Sequence, residues 1–189
     1  QKRIKKYYHK DAIVVNPPTD LSKFIPNNKP PQDFYLVVSR LSPYKKIDIA
    51  INAFNKSKRK LYIVGEGEDR QRLEQLAGKN IKFLGFQSDE SVRNLMQKCR
   101  AFIFPGEEDF GLTPVEAMAS GRPVVAFKKG GVLETVIDQK TGLFFEENTP
   151  DSLNDALTRL EKNYRTFKTD DCRKQAQKFD KDSFDNKII

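Results

Sequence analysis

Tryptophan is absent from this sequence, histidine occurs once, and cysteine and methionine occur twice each. The lone His9 stands beside two tyrosines, which suits a structural role, so no histidine-based acid–base mechanism is favoured. Cys99 and Cys172 lie far apart in no metal or redox spacing; two isolated thiols suit a reducing cytoplasm. No apolar run is long enough to span a bilayer, and no charged-then-apolar start reads as a signal peptide. Internal repeats, low-complexity linkers and nucleic-acid recognition motifs are also missing. The sequence starts with Gln1 rather than Met, and Gln1–Lys10 looks like the middle of something, so the expectation is a piece of a longer protein.

What is present is charge. Of 189 residues, 34 are Lys or Arg and 26 are Asp or Glu, giving a net charge of +8. Basic clusters occur at Lys2–Lys6, Lys56–Lys60 and Lys128–Lys129. They offer attraction to phosphate, whether of a nucleotide, an anionic membrane or a nucleic acid. Acidic residues are mixed throughout, so for most of these positions a solvated surface is the better reading.

Short β-rich apolar runs recur at Tyr35–Ser39, Leu61–Val64, Ile81–Leu84, Ala101–Phe104, Val124–Phe127 and Leu143–Phe145. Helical patterns alternate with them: Ile47, Ala50, Ile51 and Phe54 share one face, as do Val92, Leu95, Met96 and Cys99. Leu153, Ala156, Leu157 and Leu160 do the same after Thr149–Pro150, a good helix start. This alternation predicts α/β architecture: a Rossmann-like parallel sheet with helices on both faces. Three segments are expected: a connecting stretch over 1–31, a ligand-binding domain over 32–167, and a charged C-terminal helix or frayed tail over 168–189.

In such sheets ligands sit beyond the carboxyl ends of the strands, so the loops after strands are where chemistry is sought. The richest runs from Phe104 to Pro123. A polar loop follows a strand end, and a helix is predicted with Thr113 as N-cap, Pro114 at its first position and Glu116 three residues past the cap. Its free N–H groups and positive dipole end suit phosphate or sugar oxygens. Thr-x-x-Glu is also a capping box, so a purely structural reading of Glu116 wins on local sequence. Glu108, among other acids beside Gly111, divides evenly between a site residue and a solvated loop carboxylate. In Ser39–Lys46, Arg40 and Lys45 follow a strand and precede a helix. Such cations can neutralise a diphosphate, although alone they read better as surface charge. Gly65–Glu66–Gly67–Glu68 lacks the third glycine of a dinucleotide fingerprint, with Arg70 in its place, and reads as a tight turn. Gly130–Gly131 permits close backbone approach to a ligand, or a plain turn.

Taken together these loops resemble the donor-binding domain of the family-four retaining glycosyltransferases, one half of the two-domain GT-B architecture. The order matches across nearly the whole chain: Pro17–Pro18 to Phe24 as hinge, an S-R-L-x-P-x-K loop, V-G-x-G, F-L-G, an F-P…E-x-F-G-L-x-P-x-E-A-M-A-x-G-x-P-V-V stretch, G-G…E-x-V and T-G. Glu108 and Glu116 match the family's two glutamates separated by seven residues. The resemblance implies that Arg40 and Lys45, with Lys46 beside them, hold the diphosphate. It implies that Glu116 holds the ribose hydroxyls and that Glu108 meets the donor sugar as the catalytic carboxylate. Phe110, Gly111, Leu112 and Thr113 would line the sugar-diphosphate pocket, and Phe83–Leu84 would seat the base. Lys46 replaces the commoner glycine, as does Asp109 before Phe110. With Tyr44, the wording is closest to bacterial mannosyltransferases that use GDP-mannose in surface-polysaccharide assembly. The family needs no bound metal and no cofactor, since the nucleotide-sugar is a substrate.

The partners expected are therefore a nucleotide-sugar donor, GDP-mannose ahead of a UDP-sugar, and a glycan or lipid-linked acceptor held by a further N-terminal domain. No nucleic acid is expected. The location expected is cytoplasmic, with peripheral contact at the inner face of the membrane. A sugar-nucleotide epimerase of the same architecture and a non-catalytic nucleotide-binding module are the alternatives. A glycoside hydrolase also uses two carboxylates, but it has no use for a diphosphate grip.

Overall fold

Six apolar runs become six strands in the computed structural model, which describes residues 2–27 and 29–188. They are β1 (Tyr35–Val38), β2 (Leu61–Val64), β3 (Ile81–Gly85), β4 (Phe102–Phe104), β5 (Val124–Phe127) and β6 (Gly142–Phe145). All pair in parallel, in the order β3-β2-β1-β4-β5-β6. The α/β expectation and the strand positions hold to within about a residue at each end. Alternate side chains feed two cores, because successive residues of a strand point to opposite faces. Tyr35, Val37, Ile63, Ile103 and Val125 join one core; Leu36, Phe102, Phe104, Val124 and Ala126 join the other. Burial on both faces explains why these strands read as continuous apolar runs.

Helices α2 (Ile47–Ser57), α3 (Arg70–Leu76) and α7 (Pro150–Lys162) bring Ile51, Phe54, Leu73, Leu157 and Leu160 to the first core. Helices α4 (Asp89–Lys98), α5 (Leu112–Ala119) and α8 (Thr169–Ala176) bring Met96, Val115, Met118, Cys172 and Ala176 to the second. The α7 start is as predicted: the Thr149 side chain accepts from Ser152 N–H, with Pro150 in the first turn. A short helix α6 (Val132–Thr135) links β5 to β6, while α1 (Lys2–Tyr8) and α9 (Lys181–Ile188) lie at the ends of the chain. Among the described residues no helix is long and apolar enough to cross a membrane.

The segment after Lys168 is firmly held as far as Phe179. Cys172 and Ala176 are fully buried, and α8 lies against α5. The guanidinium of Arg173 donates to the carbonyls of Leu21, Phe24 and Ala119. Thr19 bridges to the same end of the chain, its N–H donating to the Phe179 carbonyl at 2.9 Å. Burying Leu21, Cys172 and Phe179 together offsets the charge that made this stretch look frayed.

Strand order reverses between β1 and β4. The connections leaving these two neighbours diverge, opening a crevice at their carboxyl ends where ligands of open α/β sheets bind. The loop after β1 carries Arg40 and Lys45; the loop after β4 carries Glu108.

Candidate functional site

The crevice is lined by Pro17, Val38, Ser39, Arg40, Lys45, Glu108, Phe110, Gly111, Leu112 and Thr113 around a cavity of about 400 Å³. That is within the range of small-molecule sites. A second cavity of about 320 Å³ adjoins it, with Val38 in both walls, and Glu116 lines this one. Seven of the eleven residues singled out from the sequence therefore surround the first cavity and an eighth faces the second.

Lys45 is held by its partner across the crevice. It stands in a short 3-10 turn, Pro43–Lys45, before α2, and its ammonium donates to the Glu108 carboxylate. Both side chains are largely shielded, at 14% and 25% exposed. Burial works to lower the Lys45 pKa, but the hydrogen bond to Glu108, with help from Tyr44, outweighs it and holds the ammonium above its usual value. Lys45 also stands 4.8 Å from the centroid of the Tyr44 ring. Arg40 is different: its side chain is 73% exposed and makes one long contact, 3.4 Å, to Glu68. It is free to turn toward an anion in the cavity.

The helix that follows Glu108 starts differently from the sequence expectation. Thr113 is not the N-cap. Helix α5 begins at Leu112 behind Gly111, which takes a left-handed φ of 82°, and no side chain caps it. Only glycine suits that corner, since a Cβ on Gly111 would stand 2.9 Å from the Phe104 ring. The consequence is twofold. The first N–H groups of α5 have no side-chain cap, so a ligand's oxygens can take them. Glu116 also loses the capping-box role, and its carboxylate has no hydrogen bond or ion pair among the described residues. Burial, then the charge of Asp89, pushes its pKa upward. A half-buried carboxylate without a partner suits donors brought by a ligand.

The remaining sequence candidates lie apart. Lys46 is exposed, in a left-handed conformation (φ 55°) between the turn and α2, and lines neither cavity. Phe83 and Leu84, on edge strand β3, turn into opposite cores and line neither cavity.

Two contributions were not visible in the sequence. Gly130 and Gly131, read as approaching a ligand or forming a plain turn, instead approach the loop that carries Glu108. Gly131 N–H donates to the Glu108 carbonyl at 2.8 Å, and a Cβ on either glycine would collide with the backbone of residues 108–110. The second is the N-terminal half of α4, whose Asp89, Val92 and Arg93 line the cavity of Glu116.

Comparison with known proteins gives the family and the fold. The family model for glycosyl transferases group 1 matches residues 19–179. An uncharacterized glycosyltransferase of Methanocaldococcus jannaschii is 34% identical over 163 residues, 84% of this chain and 46% of that protein. A GDP-mannose-dependent alpha-mannosyltransferase of Mycobacterium tuberculosis is 33% identical over 137 residues, 69% of this chain and 35% of that protein. Among solved structures, Anabaena Alr3699/HepE in complex with UDP and glucose superposes with a TM-score of 0.82 at 24% identity, covering 93% of this chain and 55% of that one. The sucrose-phosphate synthase of Thermosynechococcus elongatus gives 0.85 at 24% identity, covering 99% and 54%. The chain spans about half the length of the proteins it matches. With a family match over most of its length and the Rossmann-like fold found in GT-B enzymes, this chain belongs to the group 1 glycosyltransferases.

Proposed function

We propose that this chain is the donor-binding half of a retaining glycosyltransferase that moves mannose from GDP-mannose in surface-polysaccharide assembly. The observation that carries the reading is the pair of adjoining cavities at the switch point, with the Lys45–Glu108 pair in one and the unpartnered Glu116 in the other. A sugar nucleotide has its two ends in that order: a sugar diphosphate, then a ribose with its base.

In this reading the donor's diphosphate lies between Lys45, Arg40 and the start of α5. These groups neutralise the charge that grows on the leaving phosphate as the glycosidic bond breaks. Glu116 accepts from the ribose hydroxyls. Glu108 faces the donor sugar, accepting from its hydroxyls while its other contact steadies Lys45. The acceptor, a glycan or a lipid-linked sugar, comes from a second domain preceding this one. It attacks on the face the phosphate leaves, and the departing phosphate takes its proton, so configuration is kept. The setting proposed is the bacterial cytoplasm at the inner face of the membrane. The mannosyltransferase relative and the UDP-bound structural neighbour support a nucleotide-sugar donor.

Calorimetry with GDP, UDP and ADP tests the reading. Binding of a nucleoside diphosphate, with thermal stabilisation of the chain, is expected. A radiolabelled-donor assay on the 189 residues alone should show no transfer, because donor and acceptor must be held together in a water-free cleft. Absence of binding by every nucleotide would overturn the donor-site assignment.

A further inference from the structure

A further cavity, of about 430 Å³, lies at the opposite end of the sheet, between the chain leading into β1, the turn after α5 and the start of α8. The two charged residues in its lining, Lys29 and Arg122, are both cationic. Arg122 is only 5% exposed and forms no ion pair among the described residues. Its Nε and Nη2 donate to the Gln97 carbonyl, in the last turn of α4. Nη2 also reaches the Lys29 carbonyl at 3.2 Å and Asn27 Oδ1 at 3.4 Å, while Nη1 donates to none of these groups. The Tyr164 hydroxyl stands near the guanidinium: burial pushes its pKa up to about 12, and the positive charge pulls the other way. Carbonyl dipoles at a helix end soften a cation's charge without cancelling it, and a cation taken out of water normally has an anion beside it.

We propose that this cavity binds the phosphate group of a small phosphorylated molecule, with Arg122 as its buried anchor and Lys29 at its rim. Helix α8 opens on the same space. Thr169 is its first residue and lines the wall, and no side chain caps the N–H groups of its first turn. The acids of that turn lie outside the lining: Asp170 is exposed, and Asp171 pairs with Lys140 at 3.5 Å. A guanidinium, an ammonium and a helix start therefore border one cavity from different sides. A tetrahedral phosphate has oxygens for all of them, where a planar carboxylate has only two. Pro30, Pro31, Phe167 and the Tyr164 ring give the cavity apolar wall, and its size leaves room for the carbon skeleton of a phosphate ester. The site is separate from the crevice. Pro31 and Arg122 precede β1 and β5, so they stand at the amino ends of strands whose carboxyl ends face the donor cavities. The inference is thus independent of the donor-site reading.

The test is calorimetry and thermal unfolding of the 189-residue chain with inorganic phosphate, a hexose 6-phosphate and the unphosphorylated hexose. Lys45→Ala serves as the background throughout, so that anions drawn to the donor crevice do not count. Both phosphates are expected to bind and to raise Tm, and the free hexose is not. A hexose 6-phosphate that binds roughly 10-fold tighter than inorganic phosphate identifies an ester as the occupant, and equal binding identifies the free anion. Lys29→Ala should weaken both by roughly fivefold. Lys29 is exposed, so the melting of the unliganded variant should be nearly unchanged, which separates a binding loss from a folding loss. Arg122→Lys keeps a positive charge and loses the guanidinium fork, so it should weaken both by roughly 10-fold or more; if that variant does not fold, Lys29→Ala decides. Failure of both phosphates to bind, binding indifferent to Lys29→Ala, or a hexose that binds as tightly as its phosphate overturns the assignment. None of these results touches the donor site, which is read separately from GDP binding by the parent chain.

Discussion

Glu108→Gln is the perturbation that separates the two tasks the structure gives this carboxylate. Within the crevice Glu108 is the counterion of Lys45, with both side chains mostly shielded from water. A hydrogen bond to a charged group contributes about 1.5–3 kcal/mol. Glutamine keeps an oxygen that can accept from the ammonium, so only the charge component is lost, about 1 kcal/mol. The unliganded chain should therefore melt about 3 °C lower. Binding of GDP should move the other way. A diphosphate competes with Glu108 for Lys45 and is repelled by its negative charge. Removing that charge should tighten GDP binding by roughly fivefold, the same ~1 kcal/mol read in the opposite direction. A sugar nucleotide should gain less than free GDP, because the variant holds the donor's hydroxyls less well. Differential scanning fluorimetry and calorimetry on one preparation give both numbers. Weaker GDP binding by Glu108→Gln would show that the Lys45 pair does not restrain the cation, and the reasoning would fail.

Three further outcomes follow from the same geometry. Lys45→Ala should weaken GDP binding by roughly 10-fold or more and leave guanosine unchanged, while exposed Arg40→Ala should cost less; equal losses for nucleoside and diphosphate in calorimetry would remove both from the phosphate site. Glu116 can accept from both ribose hydroxyls, one on each oxygen, only when it is ionised, and its pKa is raised, so GDP affinity should fall as pH drops through a range above that of ordinary carboxylates; Glu116→Gln should bind more weakly and abolish that dependence, and a pH profile shared with the parent would refute the assignment. Gly131→Ala drives a methyl into the backbone at Asp109–Phe110 and should cost about 1–3 kcal/mol of stability while lowering diphosphate affinity, although residue 131 lines neither cavity; unchanged affinity in a folded variant would show that the Glu108 loop does not need this support.

What the sequence made legible, and what it hid, divides along a physical line. Strands buried on both faces must be apolar throughout, and helices between them must carry one apolar stripe, so sheet and helix order could be read from local pattern alone. The charged residues of the crevice could be proposed because chemistry-bearing loops follow strands, but their meeting depends on strand order, which places β1 beside β4 although two strands intervene in the chain. The start of α5 was misplaced by two residues because Thr-Pro is a strong local start signal. The decisive fact was tertiary: the Phe104 ring closes the corner to everything but Gly111. The same limit hid Gly130–Gly131. Paired glycines report that something comes close, and not what. Here the neighbour is the backbone of the Glu108 loop, whose carbonyl takes the Gly131 N–H.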